Sequence, residues 1–128
     1  MTDTTANPDG APVTWFEIGT DDPAGARSFY GPLLGWTFVE QGPYTMVVTA
    51  AGPEGGIRDT DTPQPEGTPR TFSIPYAQVA DVAATCAKVE ELGGKVLVQA
   101  TTTPDGLVYA HIVDPAGNDL GLWTPPPA

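Results

Sequence analysis

The chain has few basic residues: five Lys and Arg stand against 16 Asp and Glu over 128 residues, a net charge of −11. No basic patch can form that would displace counterions from a phosphate backbone, so nucleic acid is excluded as a partner. The same deficit argues against an anionic membrane surface. There is one cysteine, Cys86, which rules out an internal disulfide and a cysteine-rich zinc site. It lies within "DVAATCAKVEELGG" and is expected to be a small buried apolar residue. There is one histidine, His111, so any imidazole chemistry must use it. No apolar run approaches the length of a membrane span, and "MTDTTANPDGAP" has neither the basic nor the apolar part of a signal peptide. These absences predict a cytoplasmic protein.

Turn-forming residues, by contrast, are plentiful. With 15 Gly and 15 Pro the chain must be built of short elements and tight turns. Residues 1–12 are polar and read as a flexible N-terminal arm. "VTWFEIGT" (13–20) has the composition of a strand. A helix follows, with Asp21 or Asp22 at its cap and Pro23 in its first position. Ala26, Phe29, Tyr30, Leu33 and Leu34 recur along it at helical spacing, and Gly35 is a left-handed stop. Strands are expected at "WTFVE" (36–40), "YTMVVTA" (44–50) and "IRDT" (57–60), with "GPEGG" as a turn between the last two. The acidic, proline-bearing segment 59–70 reads as a linker. The order then repeats: strand 71–79, a helix capped by Asp81 and ended by Gly93 and Gly94, then strands at 95–100, 107–113 and 119–124, with 125–128 as a tail.

The two halves superpose. Asp22 and Asp81 are 59 residues apart, as are Gly35 and Gly94; Tyr44 and Tyr109 are 65 apart, as are Gly56 and Gly121. The chain therefore reads as one α+β domain over 13–124, built from two βαβββ modules (13–58 and 71–124) joined by the linker. Neither half alone is large enough to bury a sufficient core.

This pattern resembles the vicinal oxygen chelate superfamily, which includes glyoxalase I, extradiol dioxygenases, fosfomycin-modifying enzymes, methylmalonyl-CoA epimerases and bleomycin-binding proteins. Three motifs carry the resemblance: "WFEIGTDDPAGARSFYGPLLGW", "DVAATCAKVEELGGKVL" and "HIVDPAGNDLGLW". It implies that the tandem βαβββ modules form a curled mixed-sheet trough with the helices outside. In metal-dependent members, each first strand and each last strand offers a ligand to a divalent ion. Counted from Asp22, Asp81 and Asp114, the four positions here are Trp15, Gly56, Ile74 and Gly121. None can coordinate a metal through its side chain. The expectation is a protein with no metal at the usual positions and no other cofactor; a divalent metal on different ligands stays open.

The resemblance also places candidate residues in the trough. Strand alternation sets Glu17 beside Trp15, Tyr76 beside Ile74, Arg58 beside Gly56 and Trp123 beside Gly121. Tyr44, Met46, Tyr109 and His111 are expected to line it from the third strands. Losing the ligands to glycine would open space there, giving an apolar pocket with a few polar groups. Trp15, Tyr44, Met46, Arg58, Tyr76, Tyr109 and Trp123 are the candidate ligand-binding residues. Glu17 and His111 are the candidate catalytic pair, against the plainer alternatives of a carboxylate paired with Arg58 or Arg70 and a hydrogen-bonded strand histidine. Trp36 is expected to fill the core. No phosphate-binding glycine loop or activated serine is present.

Three functions remain open from sequence. One is sequestration of a small apolar or aromatic molecule by a homodimer. The second is a superfamily lyase, isomerase or dioxygenase with atypical ligands or metal-free Glu/His chemistry. The third is an interaction module whose trough is packed shut.

Overall fold

The computed structural model describes residues 7–127. Most of the expected N-terminal arm (1–6) and the last residue of the tail lie outside the described residues. The order of elements is β1 (Val13–Thr20), α1 (Pro23–Leu34), β2 (Thr37–Gln41), β3 (Tyr44–Thr49), β4 (Gly52–Asp59), β5 (Phe72–Gln78), α2 (Val82–Val89), β6 (Lys95–Thr102), β7 (Val108–Val113) and β8 (Asp119–Thr124). This is βαβββ twice, an α+β fold. Packing divides the chain into two compact units. One is Trp15–Gln64 with Thr68–Ile74; the other runs from Pro75 onward and takes in Pro65–Gly67 and the described residues up to Thr14.

In the first half the strand order is β2-β3-β4-β1. β1 and β4 are parallel, while β2–β3 and β3–β4 are antiparallel. The second half has the corresponding order β5-β8-β7-β6, again with the first and last strands parallel. Each helix carries the chain across to the far strand of its half, and two hairpins then bring the last strand back to lie parallel beside the first.

Local sequence accounts for the helices. The Asp22 side chain accepts from Gly25 N, with Pro23 inside the first turn, and Gly35 closes α1 at φ 70°. Asp81 likewise accepts from Ala84 N. α2 buries Val82, Cys86 and Val89 at i, i+4 and i+7. Val82 and Cys86 join Ala77, Val79, Ala110 and Leu122 in one apolar core cluster, where each larger side chain contributes about 1.5–3 kcal/mol. α2 is shorter than its sequence suggests: the helix ends at Val89 and residues 90–92 form tight turns, with Gly93 N bonded to Glu90 O and Gly94 N to Val89 O. On the helix side of the first half, Val47 and Ile57 are fully buried, and aromatic rings pack on the same side. Trp36 stacks on Tyr30 at 5.3 Å and meets Phe16 at 5.4 Å.

One expectation fails. "GPEGG" is not a turn: Gly52–Gly56 forms the first part of β4 and pairs with both β1 and β3. Gly55 and Gly56 are there because rings lie on them. A Cβ at Gly55 would stand 2.4 Å from the Phe16 ring, and one at Gly56 would stand 2.0 Å from Tyr44 Oη. Glycine here permits close approach of aromatic side chains within a strand, not a chain reversal. The reversal itself falls at Ala50–Ala51. No helix among the described residues is long and apolar enough to cross a membrane.

Candidate functional site

Register fixes which residues share a face. Across the first half, Glu17 stands opposite Gly56, Gly56 opposite Met46, and Met46 opposite Val39. Tyr44 stands opposite Arg58. Cross-strand partners point to the same side of a sheet, so Glu17, Met46, Tyr44 and Arg58 share the face away from the Phe16–Trp36 cluster. The second half repeats the row. Tyr76 stands opposite Gly121, Gly121 opposite His111, and His111 opposite Val98; Tyr109 stands opposite Trp123. The offset of 65 residues read from the sequence is thus also the offset of the hydrogen-bonded ladders.

In the first half these side chains form one polar network. Arg58 donates from Nε to Glu17 Oε1 at 3.0 Å and from Nη2 to Oε2 at 3.1 Å. This bidentate geometry suits a planar guanidinium. Glu17 is 3% exposed and the Arg58 side chain 19%. Arg58 also lies over the Tyr44 ring, 5.5 Å from its centroid. Trp15 donates from Nε1 to Tyr44 Oη at 2.9 Å. The Trp15 and Tyr44 rings can meet across the intervening β4 because Gly56 carries no side chain. Burial, and secondarily the negative charge of Glu17, push the Tyr44 phenol far above its ordinary value; the Trp15 hydrogen bond and the Arg58 charge oppose the shift. Tyr44 is therefore a neutral donor and acceptor over the whole physiological range.

In the second half the network is drier and more aromatic. Tyr76 Oη and His111 Nε2 are 2.6 Å apart, and both residues are 3% exposed. Tyr109, 4% exposed, lies 5.9 Å from the His111 ring. Trp123 donates from Nε1 to Thr14 Oγ1 at 3.0 Å, and Thr14 donates in turn to Gln78 Oε1 at 3.3 Å. Within the first half the structure brings Trp15, Glu17, Tyr44 and Arg58 together. Within the second half it brings Tyr76, Tyr109 and His111 together.

The four positions at which the superfamily places metal ligands have a further property that the sequence did not reveal. Ile74 is core, 3% exposed. Gly56 and Gly121 do not open space: a Cβ at Gly121 would stand 2.5 Å from the Tyr76 ring, as one at Gly56 would from Tyr44 Oη at 2.0 Å. The two tyrosine rings occupy the volume that ligand side chains at these positions would need. Among the described residues, no three His, Cys, Asp or Glu side chains come close enough to hold a metal ion. The residues present at the four positions do not fit a divalent cation. The sequence did carry a signal for the ring seats: each glycine has a tyrosine on a paired strand.

Comparison with known proteins agrees with this architecture. The chain is 32% identical over 115 residues to a protein of Mycobacterium bovis named "Putative glyoxylase CFP32", an alignment covering 85% of this chain and 44% of that protein. It is 28% identical over 130 residues to the anthracycline biosynthesis protein DnrV of Streptomyces peucetius, covering 89% and 46% respectively. The chain thus spans less than half the length of these curated relatives. Among solved structures, methylmalonyl-CoA epimerase from Mycobacterium tuberculosis has a TM-score of 0.57 at 17% identity, over 99% of this chain and 94% of that one, a likeness of fold. Residues 13–122 match the family model of the Glyoxalase/Bleomycin resistance protein/Dioxygenase superfamily, and the doubled βαβββ order with its matching registers agrees: the chain belongs to that superfamily.

Proposed function

We propose that this chain binds a small, flat, aromatic or apolar molecule as a superfamily member that works without the usual divalent metal. The observation that carries the proposal is the filling of the ligand positions: Gly56 and Gly121 seat tyrosine rings, while Trp15 and Ile74 take the first-strand places. A site that has exchanged ligands for rings favours stacking and hydrogen bonding over coordination of two oxygens. Trp15, Tyr44, Met46 and Arg58 form the ligand-facing group of the first half, with Glu17 holding the guanidinium in place. Tyr76, Tyr109 and Trp123 are the corresponding group of the second. A relative named for anthracycline biosynthesis supports a polycyclic aromatic ligand class. In this reading the chain acts as a homodimer in the cytoplasm.

The test is a titration of tryptophan fluorescence with an anthracycline, paired with metal analysis of the purified protein. Saturable quenching that Trp15→Leu weakens at least tenfold, with substoichiometric metal, is the expected result. One tightly held divalent ion per chain, or no saturable quenching by planar aromatics, overturns it.

A second reading rests on Tyr76 Oη and His111 Nε2 at 2.6 Å, a pair able to pass a proton. It makes the chain a metal-free acid–base enzyme in which His111 is essential. His111→Gln would then abolish turnover of a bound ligand without releasing it.

A further inference from the structure

The two halves carry corresponding rows of residues but differ in what solvent reaches. In the second half Tyr76, Tyr109, His111 and Val98 are all buried, and Trp123 is the one partly exposed ring of its row. In the first half Trp15, Tyr44, Met46 and Arg58 are all partly exposed, and Val39 at the end of the row is 49% exposed. This row is nearly apolar. Met46 stands between Val39 and Gly56, and Trp15 meets Tyr44 across the glycine. Tyr44 stays neutral, so the charge of the row is that of Glu17 and Arg58.

The two charges lie at different depths. The carboxylate is 3% exposed and the guanidinium side chain 19%, so a molecule on this face meets Arg58 first. A lone guanidinium there would make an anion site, because its planar fork matches a carboxylate, sulfonate or phosphate. Glu17 already takes that fork, through Nε at 3.0 Å and Nη2 at 3.1 Å. An arriving anion is attracted by the guanidinium and repelled by the carboxylate just behind it. It must also give up its hydration on a face whose net charge is zero. An uncharged oxygen bears neither cost. The other arginines are compensated in the same way: Arg27 pairs with Glu40 at 3.3 Å, and Arg70 donates to Asp21 at 2.8 Å.

We propose that the first-half row is the ligand face and that Glu17 is its specificity residue. By compensating Arg58, Glu17 makes this face take a planar molecule that presents an uncharged oxygen, a carbonyl or a hydroxyl, and reject one that presents a carboxylate, sulfonate or phosphate. The inference rests on the binding reading proposed above and narrows its ligand class.

The experiment is equilibrium dialysis of hydroxymethylanthraquinone and anthraquinone sulfonate, one ring system substituted at the same carbon, against the wild type and Glu17→Gln. Circular dichroism checks that both chains are folded. At about 0.15 M NaCl, charges more than about 8 Å away are screened, so the comparison reads the ion pair and not the net charge of −11. We expect the wild type to bind the uncharged probe about tenfold or more tighter than the sulfonate. Glu17→Gln keeps an acceptor against Arg58 but leaves the guanidinium charge uncompensated, so the ratio of the two affinities should move toward the sulfonate by about tenfold or more. A wild type without preference for the uncharged probe, or a Glu17→Gln chain with the wild-type ratio, overturns this inference alone. No saturable binding of either probe overturns it together with the binding reading. If Glu17→Gln does not fold, salt decides on the wild type, between about 0.05 M and about 0.5 M NaCl. Sulfonate affinity that holds or rises with salt supports a compensated guanidinium, and affinity that falls overturns it.

Discussion

Replacing Gly121 by alanine tests the idea that the glycine is a seat for the Tyr76 ring. The backbone at 121 is not in the left-handed region, so alanine has no conformational penalty there. The only obstacle is steric: the new Cβ falls 2.5 Å from the ring edge. Tyr76 cannot swing away without losing its 2.6 Å contact to His111, and both are 3% exposed. Overpacking of this kind costs about 1–3 kcal/mol, and a lost buried hydrogen bond adds about 1 kcal/mol. The sum is roughly 2–4 kcal/mol. An unfolding entropy near 2.1 cal/mol/K per residue gives about 0.27 kcal/mol/K for a chain of this size, so the melting temperature should fall by about 7–15 °C. The decisive measurement is a double-mutant cycle by calorimetry. In a Tyr76→Ala background the new methyl group enters vacated volume, and the cost of Gly121→Ala should shrink by at least 1.5 kcal/mol. Equal costs in the two backgrounds would refute the seat.

Two more outcomes follow from the networks. Glu17→Ala leaves the largely buried Arg58 guanidinium without its bidentate acceptor; it should destabilise the chain by about 2–4 kcal/mol in urea titration, and Glu17→Leu with Arg58→Met should restore part of that loss. Asp114 accepts from the backbone N–H of Asn118, its side-chain amide and the N–H of Ala116, which hold its pKa below the ordinary 3.8. Because the folded value is the lower one, the stabilisation is present above the unfolded pKa and is lost as pH falls through the folded value. Asp114→Asn should therefore flatten the acid limb of the stability profile below about pH 4 and leave its slope near pH 7 unchanged, as read by melting temperature against pH.

Both helix starts, the end of α1 and the doubling were legible in the sequence because their signals are local. Asp22, Asp81 and Gly35 act within four residues of where they stand. The row order was legible from alternation and the offset of 65. What was not legible came from contacts between strands. "GPEGG" has the composition of a turn, and only the Phe16 and Tyr44 rings, far away in the chain, explain why a strand would use it. For the same reason Gly56 and Gly121, which read as open space in the sequence, are covered by the Tyr44 and Tyr76 rings. In the sequence Glu17 has two possible cationic partners, Arg58 and Arg70, and only the fold sets the guanidinium of Arg58, 41 residues on, against it. Trp123 hydrogen-bonds to Thr14, 109 residues earlier, and nothing local signals that partner.

The two ring seats are filled from different strands, Tyr44 from β3 and Tyr76 from β5. This has a consequence for substitution. A larger side chain cannot enter position 56 or 121 by one change, because the ring stands in its way, and removing the ring first leaves a hole in a packed sheet face. Each such path crosses a destabilised intermediate, and the two halves need different pairs of changes, 56 with 44 and 121 with 76. The positions are therefore locked in couples, and one member can change only together with the other.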